Sequence, residues 1–122
     1  MRGHQASIRI ESRNPDPSGN IYLQLAVLIG SGLDGIERKL DAGEPTEVDI
    51  YHLSAEDRKK RGIASLPDNL GHSVNTLRQS KLMQEILGPH VFSNFVQVKS
   101  DEWDSYRSMV HPWELQNYLR TL

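Results

Sequence analysis

At 122 residues the chain is long enough for one domain and not for two. Hydrophobic residues make up 37% and charged residues 25%, with a net charge of −2 and a pI near 6.2. That balance leaves no electrostatic footprint for nucleic acid or an anionic membrane. The absence of cysteine excludes disulfides, thiol catalysis and zinc–thiolate centres, and fits a reducing compartment.

The chain opens on Met1 to Gln5, which has no apolar stretch suited to a secretory signal, and residues 1–7 read as a leader or as residues foreign to the fold. "IRIESRNPDP", Ile8 to Pro17, then reads as a strand. Side chains alternate along a strand, so Ile8 and Ile10 share one face while Arg9, Glu11 and Arg13 share the other. Pro15 and Pro17 stop any ladder or helix, because each lacks an N–H and fixes its own φ.

Asp16 or Ser18 is the expected cap of a helix running to about Leu40. Its apolar residues fall at i, i+3 and i+4 steps, and Leu23 and Val27 widen the stripe until the first half is apolar nearly all round. Such a helix is expected to be surrounded by protein. The run "IYLQLAVLI" is interrupted by Gln24 and stops at Gly30, well short of the roughly 20 apolar residues of a membrane span. A soluble, cytoplasmic protein is the expectation.

"DAGEPTEVDIYHL" reads as a loop, and "SAED" as a capping box for a short helix through "RKKR", closed by Gly62. A further helix places Leu70, Val74 and Leu77 on one face. Ser80 caps "KLMQEIL", which Gly88-Pro89 is expected to end. From about His90 to Val110, a helical stripe carries Phe92, Phe95, Val96, Trp103, Tyr106 and Met109. Pro112 then stands in the first turn of a last helix. The expected fold is predominantly α-helical, with one N-terminal strand and five or six helices. A lone strand is not a sheet: it pairs with another copy, or the chain belongs to something larger.

The face of Arg9, Glu11 and Arg13 admits two readings. Mixed charges commonly line a solvated sheet face. Alternatively, a carboxylate is a hard ligand for Mg²⁺ or Mn²⁺, and flanking arginines neutralise phosphate or hold a carboxylate bidentately. One glutamate cannot form such a site alone. The histidines (His4, His52, His72, His90 and His111) show no metal-ligand spacing and read as surface or cap positions. "RKKR" follows Glu56-Asp57 and reads as a solvated helix end complementing the dipole. Trp103, Trp113 and their aromatic neighbours read as packing between the last helices, and "GSGLDG" lacks the lysine and preceding strand of a phosphate loop.

Two segments, "RIESRNPDPSGNIYL" and "SGLDGIERKLDAGEP", together resemble the C-terminal part of the catalytic domain of type I glutamine synthetases. In that family a strand of form R-x-E-x-R leads into P-D-P, a long buried helix and an A-G-L-D-G-I segment. The likeness continues through "DIYHLSAEDRKKRGIASLPDNL" to "HPWELQNYL", covering nearly the whole chain from Arg9. It implies descent from an α+β catalytic domain. It also implies a ligase that phosphorylates the γ-carboxylate of glutamate with ATP, after which ammonia displaces phosphate. Two divalent metal ions clamp the phosphates.

By position, the resemblance makes Glu11 a metal ligand. Arg13 contacts the substrate carboxylate or the transferring phosphoryl, and Arg9 lies on the nucleotide side. Mg²⁺ or Mn²⁺ and ATP belong to the full enzyme, and the isolated chain is expected to bind neither tightly. The expected partners are the rest of the synthetase and its other subunits, since family enzymes form double hexameric rings. The family's other metal-binding glutamates, a histidine, further arginines and a small N-terminal domain are not in these 122 residues. The chain, a single domain or fragment, is therefore expected to be inactive in isolation. Ile21, Gly19 and Ser31 depart from the usual proline, alanine and alanine. Tyr51 falls near a tyrosine adenylylated in some bacterial relatives, but "SAEDRKKRGIASLP" is similar to the unmodified branch. Two alternatives stand beside the ligase: a non-catalytic module docking on synthetase subunits, and part of a γ-glutamyl ligase taking another amine.

Overall fold

Two prolines separated by one residue force a turn, and Asp16 between them builds it. In the computed structural model of the protein, which describes residues 9–119, Asp16 Oδ1 accepts hydrogen bonds from the Ser18 N–H at 2.8 Å and the Ser18 hydroxyl at 2.7 Å. The Asp16 carbonyl accepts from the Gly19 N–H at 3.0 Å and from Gln24 Nε2 at 2.6 Å. The Ser18 hydroxyl and amide hold the Asp16 carboxyl below its ordinary value, with a small contribution from Lys99. A lowered carboxyl pKa stabilises the turn above the ordinary titration range, and that support fades as pH falls through the folded value.

The expected N-terminal strand is corrected. From Arg9 to Asn14 the backbone is irregular, and no strand occurs among the described residues. The reason is the missing neighbour: a strand is held by N–H and C=O groups of a second strand, and these residues hold none. The reading of residues 1–7 lies outside the described residues.

Helix α1 spans Ile21–Glu37 and is capped by Asn20, whose Oδ1 accepts from the Tyr22 and Leu23 N–H groups at 3.0 and 3.3 Å. Asp16 and Ser18 are thus not the cap, being already spent in the turn. The helix closes earlier than Leu40, in a hydrogen-bonded C-terminal turn. The Leu40 N–H donates to the Gly35 carbonyl at 2.9 Å and the Lys39 N–H to Ile36 at 3.1 Å. Lys39 sits at φ +51°, the position glycine usually holds.

A left-handed lysine costs roughly 1–2 kcal/mol, and glycine returns part of that gain through unfolded-state entropy. Lys39→Gly is therefore expected to stabilise the chain by about 0.5–1 kcal/mol. A raised urea midpoint with unchanged slope checks it.

A 3-10 turn at Ile50–His52 is capped by Asp49. Helix α2, Ala55–Lys60, starts at Ser54, whose Oγ accepts from the Asp57 N–H at 3.1 Å. Its acids stand in the first turn and its bases in the last, as the helix dipole favours. Gly62, at φ +67°, closes it.

Helix α3, Leu70–Gln79, and helix α4, Lys81–Arg107, share the residue Ser80 as end and cap. Gly88-Pro89 ends the first stretch of α4 as the sequence predicts, and a second helical stretch follows across a kink. Gly88 takes φ 71° and ψ 158°, which breaks the axis, and Pro89 begins the next turn at once. Pro89 has no N–H to lose there. Helix α5, Pro112–Tyr118, starts with the His111 N–H donating to Glu114 Oε2 at 2.8 Å.

The core lies between α3 and α4. Val74, Phe92 and Val96 are buried, with Leu70, Leu77, Met83 and Leu87 packed around them. Helix α1 lies across the first part of α4, where a Cβ added to Gly30 would stand 2.6 Å from Ile86 Cδ1. At the far end, Gly71 lies under Trp103, which stacks on Tyr106. The expectation of a deeply buried α1 is corrected: none of its residues is buried, because only its α4 side is covered. No helix among the described residues is long and apolar enough to cross a membrane.

Candidate functional site

The chemistry-bearing residues from Arg9 to Arg13 precede the Asp16 turn, which carries them back across α1 and α4. Glu11 Oε1 accepts from both Arg13 Nε and Arg13 Nη2 at 2.7 Å. The contact joins two long side chains two residues apart along an irregular backbone. Ser12 and Asn14 border a cleft of about 420 Å³ with Leu23, Val27, Met83 and Phe95. Arg9 and Ile10 are both exposed.

The pair is open to water. The Arg13 side chain is 88% exposed and that of Glu11 54%. Its net contribution to stability is at most about 1 kcal/mol, because solvent screens the charges and two long side chains must be ordered. Chemically, it presents a carboxylate already clamped by a guanidinium, with a second guanidinium two residues away.

A second cleft, of about 620 Å³, lies between the Asp16 turn, α3 and α4, bordered by Asn20, Leu70, Val74 and the ion pair Lys99–Glu102, 2.6 Å long. Its walls are parts of the core and the turn. The described histidines sit at the surface or at caps: His52 Nδ1 meets Asp49 Oδ2 at 2.6 Å, His72 Nδ1 meets Asp68 Oδ1 at 2.7 Å, and His111 caps α5.

A family model described as "Glutamine synthetase, catalytic domain" matches residues 1–118. The chain belongs to that family. Glutamine synthetases similar to it include that of Methanosarcina mazei, 50% identical over 114 residues, which are 93% of this chain and 26% of the relative. That of Clostridium saccharobutylicum is 46% identical, again over 93% of this chain and 26% of the relative. That of Thermus thermophilus is 47% identical over 93% of this chain and 25% of the relative. The chain thus spans about a quarter of the length of these relatives, and the matches are consistent with the C-terminal part of a glutamine synthetase catalytic domain.

Membership of the glutamine synthetase family implies a divalent metal and ATP in a full enzyme, and the described residues do not by themselves fit a divalent metal. A divalent cation takes about six oxygen ligands. Among the described residues, no cluster of three or more His, Asp or Glu could hold a metal ion. Glu11 offers one carboxylate, with Arg13 already on it.

Proposed function

We propose that this chain is one wall of a glutamine synthetase active site and works only when the rest of the synthetase polypeptide is assembled on it. In that assembly Glu11 supplies one carboxylate to a Mg²⁺ or Mn²⁺ centre. Arg13 holds the substrate carboxylate or the transferring phosphoryl, and Arg9 lies on the ATP side. The reaction joins glutamate and ammonia through γ-glutamyl phosphate, in the cytoplasm and in a homo-oligomer. The observation that carries the reading is the 50% identity to a glutamine synthetase over 93% of this chain, with the paired Glu11 and Arg13 inside it.

The isolated chain is expected to be inactive. Electrostatic stabilisation of a transferring phosphoryl needs charges preorganised on several sides, and one carboxylate with two arginines leaves the other sides to water. The test is complementation. The chain is co-expressed with a Methanosarcina mazei synthetase lacking its matching 114 residues, and glutamine is measured after adding glutamate, ammonia and Mg·ATP. Activity should appear only with both pieces. A complex that forms without making glutamine overturns the reading, as does turnover by the chain alone above a Glu11→Ala control.

A second reading, a docking module without catalysis, is favoured by the exposed apolar side of α1. The same complex separates the two: a catalytic wall restores synthesis, whereas a docking module binds without restoring it.

A further inference from the structure

Arg78, in the last turn of α3, is held by neutral groups rather than by a carboxylate. Its Nη2 donates to Ser100 Oγ on α4 at 2.9 Å, and its Nη1 to Asn75 Oδ1 at 3.3 Å. The Ser100 hydroxyl donates its own hydrogen to the Val96 carbonyl at 2.7 Å, so its oxygen is left to accept. Arg78 forms no ion pair among the described residues. A guanidinium carries five N–H donors, and these two contacts occupy only some of them. The charge is positioned between the two helices without being neutralised.

A cleft of about 240 Å³ opens beside it, bordered also by Arg107, Asp104 and Trp103 of α4. Arg107 places its Nε on Asp104 Oδ1 at 2.7 Å, which leaves its Nη groups. Trp103 enters because Gly71 has no side chain: a Cβ there would stand 2.6 Å from the indole Nε1. That indole N–H can only donate. With two arginines against one aspartate, the cleft carries net positive charge.

Its size limits the occupant. Pockets for drug-sized ligands hold about 300–1,000 Å³, so this one suits an ion or molecule of few atoms. The planar guanidinium fork matches phosphate and carboxylate oxygens in pairs.

We propose that this cleft is an oxyanion site, taking a free phosphate or a short carboxylate between Arg78 of α3 and Arg107 of α4. The anion displaces no charged partner of Arg78. It links the two helices that carry Val74, Phe92 and Val96, so binding to the folded chain stabilises their packing. The site shares no residue with Arg9, Glu11 and Arg13 and stands or falls apart from the synthetase reading.

The full chain is titrated with sodium phosphate and, separately, sodium acetate, while sodium chloride holds ionic strength constant. The thermal midpoint is followed in wild type, Arg78→Gln, Asp104→Asn and Lys60→Gln. Phosphate stabilises folded chains generally by exclusion from their surfaces, so the reading is the difference between variants. Arg78→Gln should weaken the apparent affinity at least about tenfold, because charge-assisted contacts are the strong ones. Asp104→Asn removes the competing carboxylate and should tighten binding about threefold or more, a gain that a damaged fold does not imitate. Lys60→Gln makes the same charge change on α2 and should leave the response as in wild type. This pattern with either anion upholds the site, and the stronger response names the ligand. Equal responses in wild type and Arg78→Gln overturn the proposal, as do an equal loss in Lys60→Gln and no gain in Asp104→Asn. Absence of any response beyond that to chloride overturns it too.

Discussion

Glu11→Gln is expected to leave the thermal midpoint of the free chain within error of wild type. The same substitution is expected to cut glutamine formation by the assembled synthetase at least about a hundredfold. Both halves follow from where the side chain stands. Among the described residues its charged partner is Arg13, two residues away and largely in water, and such a pair contributes at most about 1 kcal/mol. In the assembly, on the proposed reading, the carboxylate is one of few hard anionic ligands at a metal centre. The amide keeps the shape and loses the charge.

Several kcal/mol of transition-state stabilisation are at stake there, and each 1.36 kcal/mol is about tenfold in rate. Initial rates at saturating glutamate, ammonia and Mg·ATP check the second half, and a melt followed by circular dichroism checks the first. A purely structural residue would show the opposite pattern, a lowered midpoint with activity falling only as assembly falls. Unchanged turnover in a fully assembled complex would remove Glu11 from the metal role. Arg13→Lys gives an independent view: it keeps the charge but loses the planar fork, so the Michaelis constant for glutamate should rise if Arg13 holds a substrate carboxylate.

Local chemistry was legible in the sequence and non-local chemistry was not. Ser54 with Asp57, Ser80 before Met83, and Gly62 at φ +67° each act within four residues, and each stands where the sequence predicts. The face of Leu70, Val74 and Leu77 was readable for the same reason, since helix spacing alone groups them. The cap of α1 was misassigned because Asp16, Ser18 and Asn20 are all good caps within five positions. Only the geometry of the proline turn decides which is free. The strand and the burial of α1 failed together, and for one cause. Both are properties of a chain surrounded by more polypeptide, and among the described residues no neighbouring strand meets the Arg9–Asn14 stretch and no layer covers the outer face of α1. At the site, Glu11 and Arg13 pair as near neighbours without the strand that alternation assumed, and their roles came from family resemblance and not from spacing.

The core that remains is small enough for one side chain to decide whether the chain folds. Phe92→Ala is expected to abolish the cooperative urea transition of the free chain, while Val98→Ala, on an exposed position six residues along the same helix, should shift it little. Among the described residues Phe92 is one of three that are buried, between Val74 on α3 and Val96 one turn further along α4. Truncating a buried phenylalanine costs about 3–5 kcal/mol through lost transfer energy and the cavity left behind. A well-packed domain of this length holds roughly 5–15 kcal/mol, and a chain with so little buried surface lies at the low end of that range or beneath it. The substitution therefore removes most or all of the available stability. Docking on the remaining synthetase should partly rescue it, because binding to the folded state alone adds stability by mass action. A cooperative transition in Phe92→Ala with a midpoint near wild type would show that the α3–α4 core does not hold the chain together. Rescue by the partner would show that a surface outside this core supplies the stability the core lacks.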